Sequence, residues 1–117
     1  MNQNYPDSTA LLTEVNSLDL YKDLVAQLQK DFLYANVMID LKIDINPALL
    51  LEELYHTIYS LIQNKFNDYL NLLYIIDVSE KQVKKLESND IMEIAKHVTF
   101  LILKREWQKV WYRQKYS

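Results

Sequence analysis

Glu53-Leu-Tyr-His56 is the first string in the chain with a chemical reading. Carboxylate-bridged metal centres in helical bundles take Glu-x-x-His pairs from two helices, plus two further Glu, all pointing inward. Here the pair occurs once. Glu93 and His97 are four apart elsewhere, but Glu93 already serves as a cap residue and His56 falls on the polar side of its helix. The expectation is therefore surface histidines and no metal. General acid–base work needs titratable groups held in a cleft. The apolar stripes contain no Asp, Glu, His or Lys expected to be buried. Tyr55, Tyr69 and Tyr74 lie on or beside the core face, where a tyrosine commonly satisfies a backbone carbonyl. No catalytic residue, metal or cofactor is expected, and the chain reads as a non-enzyme.

The segment Lys104-Arg-Glu-Trp-Gln-Lys-Val-Trp-Tyr-Arg-Gln-Lys-Tyr116 mixes cations with aromatics. Lys104, Arg105, Lys109, Arg113 and Lys115 form a basic patch against one acid, Glu106. The first 103 residues hold eight basic and fifteen acidic side chains, so an acidic body carries a basic tail. Such a tail could bind nucleic acid, with cations on phosphates and aromatics on bases. It could lie on an anionic membrane surface or dock a protein. It could also only complement the helix dipole and cover apolar surface. The acidic body would repel phosphate, which weakens the nucleic-acid reading.

Composition excludes more. None of the 117 residues is Gly or Cys. Without Gly there is no phosphate-binding loop, dinucleotide fingerprint, nucleophile elbow or calcium loop. Without Cys there is no disulfide framework or thiolate metal site. Half the residues are apolar and 12% aromatic, too many for a disordered chain. A chain this long buries roughly 65% of its unfolded surface, enough for one core. The start has no basic-then-apolar leader pattern, and Val98–Leu103 is far short of a membrane span. A soluble cytoplasmic protein is expected.

The elements that would position these residues follow from periodicity. Residues 1–17 are polar, carry Pro6 and read as a flexible N-terminal arm with at most a helical turn around Ala10–Val15. Residues 18–117 form one helical domain. Leu18, Tyr21, Val25, Leu28, Phe32 and Ala35 repeat at helical spacing. Ile39, Leu41, Ile43 and Ile45 alternate like a strand, but one strand has no partner, so an extended connector over the helices is expected. Asn46-Pro47 suits the N-cap and first position of a long helix, with Leu51, Tyr55, Ile58, Ile62, Phe66, Tyr69, Leu73 and Ile76 on its apolar side and a bend near Asn64–Asn67. Asp77-Val-Ser79 breaks it. A short helix over about 80–87 follows, and Asp90 with Glu93 caps the last helix, about 91–114. The 80–87 helix and its successor have helix-turn-helix lengths, but the second helix starts Ile91-Met-Glu-Ile-Ala-Lys-His, poor in groups that read bases.

The last helix switches faces. At about 100° per residue, Ile91, Ile94, Ala95, Val98, Leu101 and Ile102 share one side, and Arg105, Lys109 and Arg113 continue it. Phe100, Leu103, Trp107, Val110 and Trp111 share the opposite side. The second stripe either packs on its own connector or arm, or anchors a partner, since Trp rimmed by Arg and Lys is common at interfaces.

Tyr69-Leu-Asn-Leu-Leu-Tyr-Ile-Ile-Asp-Val-Ser-Glu80 and Leu101-Ile-Leu-Lys-Arg-Glu-Trp-Gln-Lys-Val-Trp111 resemble segments of small uncharacterised helical proteins of bacteria. These segments cover about a fifth of the chain, and the resemblance implies no activity, ligand or site residue. Together the readings predict an all-α, four-helix bundle-like domain with three long helices and one short. They predict a non-catalytic protein–protein interaction module that self-associates as a homodimer, with Phe100, Leu103, Trp107, Val110 and Trp111 as anchors. The alternative is nucleic-acid binding through the basic aromatic helix.

Overall fold

In the computed structural model, residues 4–84 and 89–116 are described. Six helices are found among them: α1 (Ser8–Ser17), α2 (Tyr21–Tyr34), α3 (Pro47–Asn64), α4 (Phe66–Ile76), α5 (Glu80–Lys84) and α6 (Ile91–Tyr116). The described residues are all-helical in fold, with six helices among them rather than four. The end of the short helix expected over 80–87 lies outside the described residues.

The predicted starts are present. The Asn46 side chain accepts from Ala48 N–H at 2.8 Å, with Pro47 at the first helical position. Asp90 accepts from Met92 N–H at 3.0 Å. The arm, by contrast, is structured from residue 8. Asp7 caps α1 by accepting from Ala10 N–H at 2.9 Å, and Leu11, Leu12 and Val15 are buried in the common core. Three apolar residues on one face of a ten-residue helix are enough to dock it.

A chain without Gly must end its helices by other means. Asp19, Asn36 and Asp77 take the left-handed conformation, with φ of 59°, 63° and 72°. Each ends a helix in the same way. The next residue's N–H reaches back to a carbonyl five residues earlier: Leu20 to Val15, Val37 to Phe32, Val78 to Leu73. Both apolar partners are buried in every case. This is the Schellman arrangement with its hydrophobic contact, and Asn and Asp are the non-Gly residues that tolerate it best.

The long helix expected from Asn46 is broken rather than bent. Lys65, at φ −143° and ψ 63°, separates α3 from α4. The Asn-rich stretch Asn64–Asn67 has weak helix propensity. The break lets α3 pack on α6 while α4 packs on both α2 and α6. Residues 37–45 form no strand. Val37, Ile39 and Leu41 turn inward, and the Gln29 side chain stands in for a neighbouring strand. Its amide donates to the Ile39 carbonyl at 2.8 Å and accepts from Leu41 N–H at 2.7 Å. Tyr21 donates to the Ile45 carbonyl and closes the far end.

Helix α6 lies at the centre, against α1, α2, α3 and α4. Its buried residues, Ala95, Val98, Thr99, Ile102, Leu103, Glu106, Trp107 and Val110, sweep around the helix rather than along one side. That is the physical reason for the face switch: the neighbours of α6 change along its length.

Candidate functional site

The five anchors expected on α6 do not form one surface. Leu103, Trp107 and Val110 are buried against their own chain. Trp107 donates from Nε1 to the Tyr5 hydroxyl at 3.1 Å, and Tyr5 in turn donates to Glu14. The N-terminal segment is thus what covers the second stripe. Phe100 and Trp111 stay half-buried, each beneath a lysine of its own helix. Lys104 Nζ lies 5.8 Å from the Phe100 ring and Lys115 Nζ 5.7 Å from the Trp111 ring. An interface anchored on all five residues is not available in this fold.

The rest of the basic patch is also engaged. Arg105 donates to the Asp77 carbonyl at 3.2 Å and to its carboxylate at 3.1 Å, which fastens α6 to the end of α4. Arg113 donates to Gln27 Oε1 at 2.8 Å. Lys109 donates to Asp31 Oδ2 at 2.8 Å. Arg113 and Lys109 thereby tie the C-terminal half of α6 to α2.

Lys109 also lies 2.8 Å from Glu106 Oε1. Glu106 is 0% exposed and neither of its oxygens has a hydrogen-bond partner among the described residues. The lysine approaches it off the hydrogen-bonding direction. This corrects the expectation that no acid is buried. Burial, then the neighbouring Asp31 carboxyl, pushes the Glu106 carboxyl up to about 8, against the pull of Lys109. Burial also acts to raise Asp31, but Glu106 beside it, with the hydrogen bonds from Lys109 and Gln27, outweighs that and holds its carboxyl below the ordinary value. Burial acts to lower Lys109, and its two carboxyl partners outweigh that, so the ammonium is held more firmly than usual. The four grooves described in this structure are lined by other residues. The cluster faces the helix interface.

The Glu-x-x-His string has no metal geometry. His56 lies 3.2 Å from exposed Glu52, Glu53 and His97 are exposed, and no group of three ligating side chains gathers among the described residues. Tyr69 is buried and Tyr55 half-buried, but Tyr74 points out, 81% exposed. With Phe66 (53%) and Leu70 (49%) it forms an exposed apolar row at four-residue spacing along α4. Beside the row runs a groove of about 490 Å³, lined by Ile62, Phe66, Tyr69, Leu70, Leu73, Val83 and Ile94 together with Glu80 and Lys84. Sequence reasoning placed Phe66 on the core stripe of one long helix. The break at Lys65 turns it outward.

No family model, curated protein or solved structure matches this chain. No helix among the described residues is long and apolar enough to cross a membrane.

Proposed function

We propose that this chain is a non-catalytic helical interaction module of the cytoplasm, and that it associates with a second copy of itself through the outer face of α4. The observation that carries the reading is the row Phe66, Leu70 and Tyr74 beside its groove. Single exposed apolar residues are ordinary, but a contiguous row over a concave apolar surface marks a contact site. The charged pair in the groove's lining favours a second copy as occupant. Glu80 and Lys84 stand one turn apart on α5, so a two-fold contact can set the acid of each protomer against the base of the other. The α6 lysines and arginines support this reading over nucleic-acid binding. Arg105, Lys109 and Arg113 are held by Asp77, Asp31 and Gln27, so few cations are left for phosphate. The burial of Glu106, with Asp31 beside it, supports a non-catalytic role.

Charge reversal tests the occupant. Glu80→Lys sets like charges together at both ends of a two-fold contact and is expected to weaken self-association several-fold. Adding Lys84→Glu is expected to restore it. Association unmoved by either variant counts against this surface. A wild type that stays monomeric while the face binds a different protein counts against the second copy.

A further inference from the structure

We infer that Glu106 is a proton-holding joint between α2 and α6, kept as the neutral acid in the folded chain and ionised only as the contact between the two helices loosens. The geometry sets the charge problem. Lys109 Nζ lies 2.8 Å from Asp31 Oδ2 and 2.8 Å from Glu106 Oε1. One ammonium thus stands between two carboxyl groups, one of them out of reach of water. Fully ionised, the trio carries a net negative charge at a buried site, which is costly. One added proton removes it. The proton belongs on Glu106, because Asp31 already accepts from Gln27 Nε2 at 3.1 Å and from Lys109, whereas the Glu106 oxygens have no donor. A protonated Glu106 becomes a donor itself and Asp31 is its acceptor, which satisfies the orphaned group.

Among the described residues, Asp31 from α2 and Lys109 from α6 are the charged groups that act on Glu106. The other helices against α6 present titratable groups elsewhere along it. From the α1 side Tyr5 and Glu14 face Trp107, from α3 Tyr55 faces Lys96, and at the end of α4 Asp77 faces Arg105. Arg113 approaches the cluster but is spent on Gln27.

The direction of the pH effect follows. The folded carboxyl, at about 8, stands above its free value of 4.5. Its stabilising contribution is complete below the free value and is lost as pH rises toward 8, with up to about a tenfold fall in the folding equilibrium constant per pH unit. Asp31 is shifted down, so its contribution is lost only at more acid pH. Lys109 is shifted up, so its contribution is lost only in strong alkali.

The test is a carboxyl-carbon NMR titration of Glu-labelled protein over about pH 4 to 9, beside urea unfolding across the same range. One Glu signal is expected to titrate near 8 and to be absent in Glu106→Gln. The wild-type folding constant is expected to fall at least tenfold between about pH 5.5 and 7.5, and the fall to vanish in Glu106→Gln. Asp31→Asn removes the neighbouring negative charge and puts an amide that can also donate in its place, and is expected to move the Glu106 signal to lower pH, which decides the matter if Glu106→Gln does not fold. Glu signals that all titrate in the ordinary range, or parallel pH profiles for wild type and Glu106→Gln, overturn the inference.

Discussion

Trp107→Ala separates a core role for the second stripe of α6 from an interface role. Trp107 is 1% exposed, donates to Tyr5 and lies 6.0 Å, ring to ring, from Trp111. Truncating a fully buried aromatic to Ala costs about 3–5 kcal/mol, as transfer energy plus the cavity left behind. A domain of this size is stable by roughly 6–17 kcal/mol, so the loss is a large share of the total. At about 3–5 °C per kcal/mol for a chain between the surveyed sizes, Tm falls by roughly 9–25 °C. Trp111→Ala removes a half-buried ring and is expected to cost about 1 kcal/mol. Thermal and urea unfolding followed by far-UV circular dichroism, at one fixed protein concentration, measures both. The concentration must be held because association itself shifts apparent stability. Equal, small losses for the two variants would refute the core assignment of Trp107. So would a Trp107→Ala protein of wild-type stability that had lost only its self-association.

Two further substitutions probe the local devices. Gln29→Ala strips the Ile39 carbonyl and Leu41 N–H of their partner and is expected to cost about 2 kcal/mol. A loss below about 0.5 kcal/mol in urea unfolding would mean that water serves the connector equally well. At Asn36, φ 63°, Gly is expected to gain up to about 1 kcal/mol and Val to lose about 1–2 kcal/mol. The reverse order in thermal unfolding would contradict the helix-ending role given to that residue.

The local parts of the fold are written in local sequence. Asn46-Pro47 and Asp90 start helices where their side chains can cap, and the apolar periodicity of α2 and α3 sets the faces they bury. The helix endings were legible too. Each shows an apolar residue, then Asp or Asn four later, then a second apolar residue: Val15, Asp19, Leu20; Phe32, Asn36, Val37; Leu73, Asp77, Val78. Without Gly as the usual marker, that signal passes unnoticed. The buried cluster was not legible, because its meaning depends on a partner far away in the chain. Glu106 stands out only as the one acid in a basic tail. Asp31, on the polar side of α2 by periodicity, becomes buried only when α6 packs over it. The face switch of α6 was visible as an anomaly. Its cause, a central helix with different neighbours along its length, belongs to tertiary structure. The exposed row on α4 depends on the break at Lys65, which propensity hints at but does not locate.

Sedimentation equilibrium of the wild type beside Leu70→Asp tests the proposed association most directly, with circular dichroism to confirm that both are folded. The wild type is expected to sediment as a dimer of 14.0 kDa chains, and Leu70→Asp as a folded monomer. A wild type that remains monomeric at high concentration, or a Leu70→Asp protein that still dimerises, would contradict self-association through α4.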